Sequence, residues 1–167
     1  MKKLTILLVL ALLLAACTPK HQAPTTTAST QPSTAPSTTQ TTASAQPITF
    51  LVYMPDDNCE LFITAEMTLE TLEPERIVEA LIAKNVLAED VAVNRATVVG
   101  KELALDMNEA FLMQLYTMGT TGERMLIGCL VNTFLSAYGC EYVMLTVDGE
   151  IINSGHVEYT EPLYPFT

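Results

Sequence analysis

The chain has 167 residues and carries 19 acidic against eight basic side chains, a formal net charge of −11. All 19 acids lie beyond residue 46, where only Arg76, Lys84, Arg95, Lys101 and Arg124 oppose them, giving that stretch a net charge of −14. A nucleic-acid partner, which needs a basic footprint, is excluded, and so is a folded part lying on anionic headgroups.

Met1-Lys2-Lys3 makes a positive start, and Leu4 to Ala16 is an uncharged run of 13 residues, the length of a secretory h-region and short for a bilayer span. The run closes on Leu14-Ala15-Ala16-Cys17, which resembles a bacterial lipobox. Residues 1–16 are therefore expected to be a lipoprotein signal peptide, and Cys17 the residue that takes a diacylglycerol. Each buried methylene contributes roughly 0.8 kcal/mol, so two chains anchor stably. The expected location is the extracytoplasmic face of a membrane, held by lipid.

Residues 18–46 hold ten Thr, four Ser and four Pro and no bulky aliphatic or aromatic side chain. With nothing to bury in exchange for chain entropy, residues 17–46 are predicted to form a disordered tether. Its reach is at most about 95 Å extended, or roughly 30 Å as a coil.

Residues 47–167 suffice for one domain. Ile48 to Met54 is rich in β-branched and aromatic residues and stops at Pro55-Asp56-Asp57-Asn58, after which Leu61 to Leu69 resumes, so a hairpin is predicted. The turn lacks the ligand spacing of a calcium loop. Glu73-Pro74-Glu75 opens a short helix through Lys84, with Ile77, Val78, Leu81 and Ile82 at helical spacing. Ala96 to Val99 and Glu102 to Met107 flank Gly100-Lys101 as a second hairpin. Thr120-Thr121-Gly122-Glu123 fits a capping box for a long helix ending at Tyr138, with Gly139 as its left-handed stop.

At about 100° per residue, Leu126, Ile127, Leu130, Val131, Phe134, Ala137 and Tyr138 of the long helix share a core arc. Arg124, Gly128, Asn132 and Ser136 fall opposite, with Met125 and Leu135 among them. Asn132-Thr133 is read as outward or boundary. Tyr142 to Val147 is then a strand, Asp148-Gly149 a tight turn and Glu150 to Ile152 a return strand. The fold class is α/β (α+β), two helices packed on one face of a small mixed β-sheet.

The run from Asn132 to Gly149, N-T-F-L-S-A-Y-G-C-E-Y-V-M-L-T-V-D-G, resembles the signature of the GerMN (sporulation and germination) domain. The opening ITFLVYMPDD, the hairpin before the long helix and the segment from Tyr159 to Leu163 follow the family's order. The resemblance spans roughly residues 48–165 and is loose from about 66 to 100. Phe134 stands where the family prefers leucine, and the second of the tandem domains of some members is not expected here. The resemblance implies a lipoprotein-borne α/β domain related to ring-building modules of envelope assemblies, without catalysis.

Catalytic chemistry finds little support in the residues themselves. Cys59, Cys129 and Cys140 read as three free, mostly buried thiols, and His156 is the one histidine of the domain. A Cys129 or Cys140 pairing with His156 is left open, but no nucleophile elbow or phosphate-cradling glycine loop accompanies it. No metal site or cofactor is expected. On the first strand Leu51 and Tyr53 alternate with core-facing residues, as Tyr142 and Met144 do on the later strand. Together with Met125 and Leu135 they form the candidate interaction surface, for other envelope proteins or for self-association. The weighed alternative is that the tail from Glu158 to Phe166 folds back and covers it. A receptor for a wall fragment or small molecule is the second functional reading.

Overall fold

The computed structural model describes residues 46–167. The expected signal peptide, Cys17 and the tether up to residue 45 lie outside the described residues. Nine elements follow in order: β1 (Ile48–Pro55), β2 (Phe62–Leu69), α1 (Pro74–Ala83), β3 (Val93–Val99), β4 (Glu102–Met107), α2 (Glu109–Tyr116), α3 (Thr120–Tyr138), β5 (Tyr142–Val147) and β6 (Glu150–Ile151). The α+β class is as predicted, with three helices instead of two. The strands form two sheets instead of one: an antiparallel β1-β2 hairpin, and a four-stranded mixed sheet in the order β3-β4-β5-β6. Within the latter only β4 and β5 run parallel. Parallel neighbours need a long crossover, and α2 and α3 supply it.

Helix α2 escaped the sequence pattern because it is eight residues long and buries only Phe111 and Leu115, one turn apart. Its polar residues fix the irregular stretch before β3. Gln114 accepts from Ala88 N at 3.0 Å and donates to Val86 O at 3.0 Å, while Asn108 accepts from Ala92 N and donates to Asp90 O. Val86, Leu87 and Val91 are thereby held in the core. Backbone groups that no ladder satisfies are paired with side-chain amides.

Helix α3 is buried without interruption from Met125 to Leu135, so the single core arc was too narrow. A helix apolar on all sides belongs inside a structure. On one side lie the inward residues of the mixed sheet, Leu103, Leu105, Met107, Val143, Leu145 and Val147, all buried. On the other side runs β1. Its N–H groups at alternate residues point away from β2, as antiparallel pairing requires, and they meet hydroxyls of α3. Leu51 N donates to Ser136 Oγ and Tyr53 N to Thr133 Oγ1, both at 2.9 Å. Thr133 is fully buried and Asn132 nearly so, which corrects the reading of this pair as outward or boundary.

Close approach on this side depends on Gly128. A Cβ there would stand 2.4 Å from Phe62 Cζ and 3.2 Å from Phe166 Cβ. The helix ends as predicted at Gly139, with φ 66°. The capping box does not form. The N-cap is Gly119, with no side-chain cap bond, and Glu123 Oε1 accepts hydrogen bonds from Ser154 and Tyr159.

A second polar knot lies at the Asp-Gly turn. Asp148 (φ 49°) and Gly149 (φ 82°) are both left-handed, as a two-residue hairpin turn of the primed type demands. Asp106 on β4, buried, accepts from Thr146 Oγ1 at 2.5 Å, Gly149 N at 2.8 Å and Asn94 Nδ2 at 3.2 Å. The Asn94 amide also reaches Met107 O and Asp148 Oδ1. Burial alone raises the Asp106 pKa, but these hydrogen bonds and the Arg95 charge outweigh it and hold the carboxyl below its ordinary 3.8.

Two outcomes follow from these contacts. Replacing Thr133 by valine keeps the shape and strands the Tyr53 amide, so the unfolding free energy should fall by about 1–3 kcal/mol in urea melts. Asp106→Asn should cost about 1–3 kcal/mol at neutral pH. The folded-state pKa of Asp106 is depressed, so its contribution is complete above about pH 5 and vanishes as pH drops through the folded value. Melts of wild type and Asp106→Asn taken toward about pH 2 should therefore converge at the acid end.

Candidate functional site

The six residues expected to share one surface separate into three groups. Met125 and Leu135 are only 3% and 6% exposed, which overturns their placement on an outer helix face. The physical reason is the cover that β1, β2 and the tail give to that side of α3. Leu51 and Tyr53 are half-buried on the β1-β2 hairpin. Tyr53 lines a cavity of about 290 Å³ with Asn132, Ser136, Cys140 and Phe166. Tyr142 and Met144 are half-buried on β5, on the other sheet.

The tail does fold back. Leu163 exchanges two backbone hydrogen bonds with Val143, at 2.8 and 2.9 Å. The Asn132 side chain grips the backbone of Phe166, accepting from its N–H at 2.8 Å and donating to its carbonyl at 2.9 Å. Arg124 donates to Thr167 O at 2.7 Å. These bonds explain why a polar residue stands at position 132 within an apolar helix.

The face of the mixed sheet turned away from the core stays uncovered at one end. Register places Val99, Glu102 and Tyr142 in one row and Thr97, Ala104 and Met144 in the next. Tyr164 packs on Tyr142 with ring centroids 5.7 Å apart. Val99, Tyr164 and Ile151 are each more than half exposed. The face thus has an apolar end around Val99, Tyr142, Met144 and Tyr164, and a polar end at Asp106 and Thr146. Lys101 and Glu141 form an exposed ion pair beside the apolar end. The sequence showed Tyr142 and Met144, whereas Val99 and Tyr164 became neighbours only through strand register and the fold-back of the tail.

Neither Cys129 nor Cys140 is an activated thiol. Cys129 is buried, and burial, helped by Cys59, pushes its pKa up to about 12. Burial also raises Cys140. At ordinary pH such groups are thiols, and the thiolate is the nucleophile. All three are free, but Cys59 is exposed and Cys140 half-buried, so only Cys129 is a core residue as expected. His156 is exposed on the turn from Asn153 to Val157, its amide held by Ser154 Oγ at 3.2 Å. Asp56 spends its carboxylate within its own turn, accepting from Leu61 N and Glu60 N, which lower its pKa. Among the described residues no group of three or more His, Cys, Asp and Glu is placed to hold a metal ion. No helix among them is long and apolar enough to cross a membrane.

The remaining polar cluster is internal. Glu123, in the first turn of α3, is 1% exposed. Ser154 Oγ donates to its Oε1 at 2.5 Å and Tyr159 OH donates to the same oxygen at 2.7 Å. Oε2 has no hydrogen-bond partner among the described residues. Burial, with the Glu123 hydrogen bond and charge, pushes the Tyr159 phenol well up, so it serves as a donor. Sequence reasoning assigned Glu123 to a helix cap, and nothing local signals its partners more than 30 residues away.

The family described as sporulation and spore germination, Germane, matches residues 51–153. Among solved structures, the first GerMN domain of the sporulation protein GerM from Bacillus subtilis matches with a TM-score of 0.53 and 15% identity, over 70% of this chain and 97% of that one. The tandem GerMN domains of the same protein match with a TM-score of 0.51 and 16% identity, over 74% of this chain. This chain spans about half of the tandem structure, 46% of its length. At this identity the structures establish the fold alone. No curated protein matches the sequence. On the extent of the family match, with a fold that agrees, the chain belongs to the Germane family of sporulation and spore germination.

Proposed function

We propose that this protein is an extracytoplasmic lipoprotein, anchored through Cys17 and a tether to residue 46, whose domain performs no chemistry and binds another envelope protein during sporulation or germination. The observation that carries the reading is the apolar end of the mixed sheet's outer face. A sheet packed on one side presents a polar face to water by default. Here Tyr142 and Met144 stand half-buried beside the exposed Val99 and Tyr164. Aromatic residues and methionine are the types enriched where proteins meet.

The acidic surface is consistent with this role. A net charge of −14 over residues 47–167 keeps the domain off anionic headgroups, so the tether holds it out toward a partner. Family membership supports the sporulation context. Partner identity enters the proposal only as an envelope protein, with a second copy of this chain as the competing outcome.

In intact cells, a photo-crosslinking residue at position 142 of the full-length protein should capture a partner, while the same residue at Glu79 on α1 should not. Met144→Asp should weaken that association about tenfold or more without changing the melting temperature. Equal capture at both positions would overturn the assignment of this face. Cys17→Ser should move the protein out of the membrane fraction, and its retention there would overturn the anchor.

A further inference from the structure

The β1-β2 hairpin has two edges, and α3 occupies one of them. Leu51 N and Tyr53 N donate to hydroxyls of that helix, so these residues turn their backbone groups away from β2. In an antiparallel pair, opposite residues that do not exchange hydrogen bonds both point outward. Register sets Leu51 against Glu66, Tyr53 against Thr64 and Thr49 against Thr68. The N–H and C=O groups of Thr64, Glu66 and Thr68 therefore face away from β1, along the outer edge of β2. Among the described residues no strand lies there and no hydrogen bond reaches these amides, and all three residues are exposed.

Proteins guard such edges with proline, lysine, bulges or very short strands. Strand β2, FITAEMTL, has none of these: it is eight residues long and keeps register with β1 throughout. By contrast, β3 at the edge of the mixed sheet shifts register between Val93 and Arg95 and carries that arginine. The one charge on β2 is Glu66, which repels acidic partners alone.

Charge selects what can pair with this edge. From Pro47 to Glu75 the chain holds seven acids and no Lys or Arg, half of the net −14 of the domain. Asp57 and Glu60 stand exposed before β2, and Glu70 and Glu73 after it. Arg76, the first base beyond them, is paired with Glu79 at 2.6 Å. A second copy would set two such acidic hairpins side by side, and like charges across a strand pair destabilise it. Residues 17–46 hold a single base, Lys20, so the preceding segment answers the charge poorly too.

We propose that the outer edge of β2 takes up an extended, cationic segment of another protein as a third strand, with basic side chains beside Glu66 and apolar ones against Ile63 and Met67. Side chains alternate between the two faces of a strand, and Ile63 is 50% exposed with Met67 half-buried on the face opposite to Glu66. Backbone hydrogen bonds supply the affinity, and the alternation of base and apolar residue supplies the specificity.

The test titrates the full-length protein in detergent with the peptide acetyl-Lys-Val-Lys-Val-Lys-Val-Lys-amide, followed by calorimetry and by hydrogen exchange of the Thr64, Glu66 and Thr68 amides. Comparators are the same peptide with Glu for Lys, and two versions N-methylated on the Lys or on the Val amides. Saturable binding that slows these three amides, and that weakens at least about tenfold with one methylation pattern and not with the other, supports strand addition. Simple charge attraction is blind to that pattern, so equal binding of both methylated peptides overturns the proposal. Thr64→Pro removes an outward amide without touching the ladder to β1 and should weaken binding about tenfold. Because proline also stiffens the strand, Glu66→Lys provides a second arm with a similar expected loss, while Glu150→Lys, the same charge change on β6, should alter binding less than about twofold. Equal loss in both lysine variants, equal binding of the Glu peptide, or no saturation up to about 1 mM would each overturn it. Slow exchange of the three amides in the dilute free protein would mean that the chain covers its own edge, and slowing that appears with a dimer in sedimentation would assign the edge to a second copy; either overturns the cationic strand. None of these outcomes touches the crosslink at position 142, so the two readings stand or fall separately.

Discussion

The arrangement of the domain depends on one substitution of partners: helix α3 takes the place of a third strand beside β1. A two-stranded hairpin in water is marginal on its own, and its free edge presents amides that must be satisfied once buried. Thr133 and Ser136 receive the amides of Tyr53 and Leu51, so the hairpin docks edge-on along the helix. The same helix holds the mixed sheet on its other side through purely apolar contact. Each polar residue on the hairpin side serves the backbone of a segment that has no complete ladder, β1 for the two hydroxyls and the tail for Asn132.

That division also explains the composition of α3. Small residues are required wherever another chain segment comes close, and Gly128 is where Phe62 and Phe166 reach the helix. In the interior of an exposed helix glycine costs about 1 kcal/mol relative to alanine. Here the missing Cβ is the condition for packing. The Asp106 network does for the mixed sheet what the hydroxyls do for the hairpin, joining β3, β4, β5 and the turn before β6 through one carboxylate and one amide.

What could be read from the sequence follows from the range of each interaction. Most strand limits, the Asp148-Gly149 turn, the Gly139 stop and the first helix rest on neighbours within a few residues, and the structure reproduces them closely, except that β3 starts at Val93 and not at Ala96. Periodicity failed on α3 because it assumes a wet side. Gly128, Asn132 and Ser136 look like a solvated stripe, yet their small size and hydrogen-bonding capacity fit a second buried contact. Met125 and Leu135 were the discordant residues within that stripe; they signalled contact correctly, but the contact is internal. Glu123 shows the same limit: its spacing from Thr120 is that of a cap, while its partners Ser154 and Tyr159 come from the other end of the domain.

The tail links the sheet face to the cavity beside Glu123 without merging them. Leu163 is hydrogen-bonded to β5, Tyr164 packs on Tyr142 at the sheet face, and Phe166 lies against α3 on the wall of the Glu123 cavity. A change at Tyr164 therefore disturbs the sheet face and tugs on the segment that closes the cavity, so its effect on either site has two causes. Met144 belongs to the mixed sheet and Val157 to the lining of the cavity at the start of α3. Because coupling energies fall away between well-separated residues, changes at Met144 and Val157 should add, and departure from additivity would measure how firmly Asn132 and Arg124 clamp the tail between them.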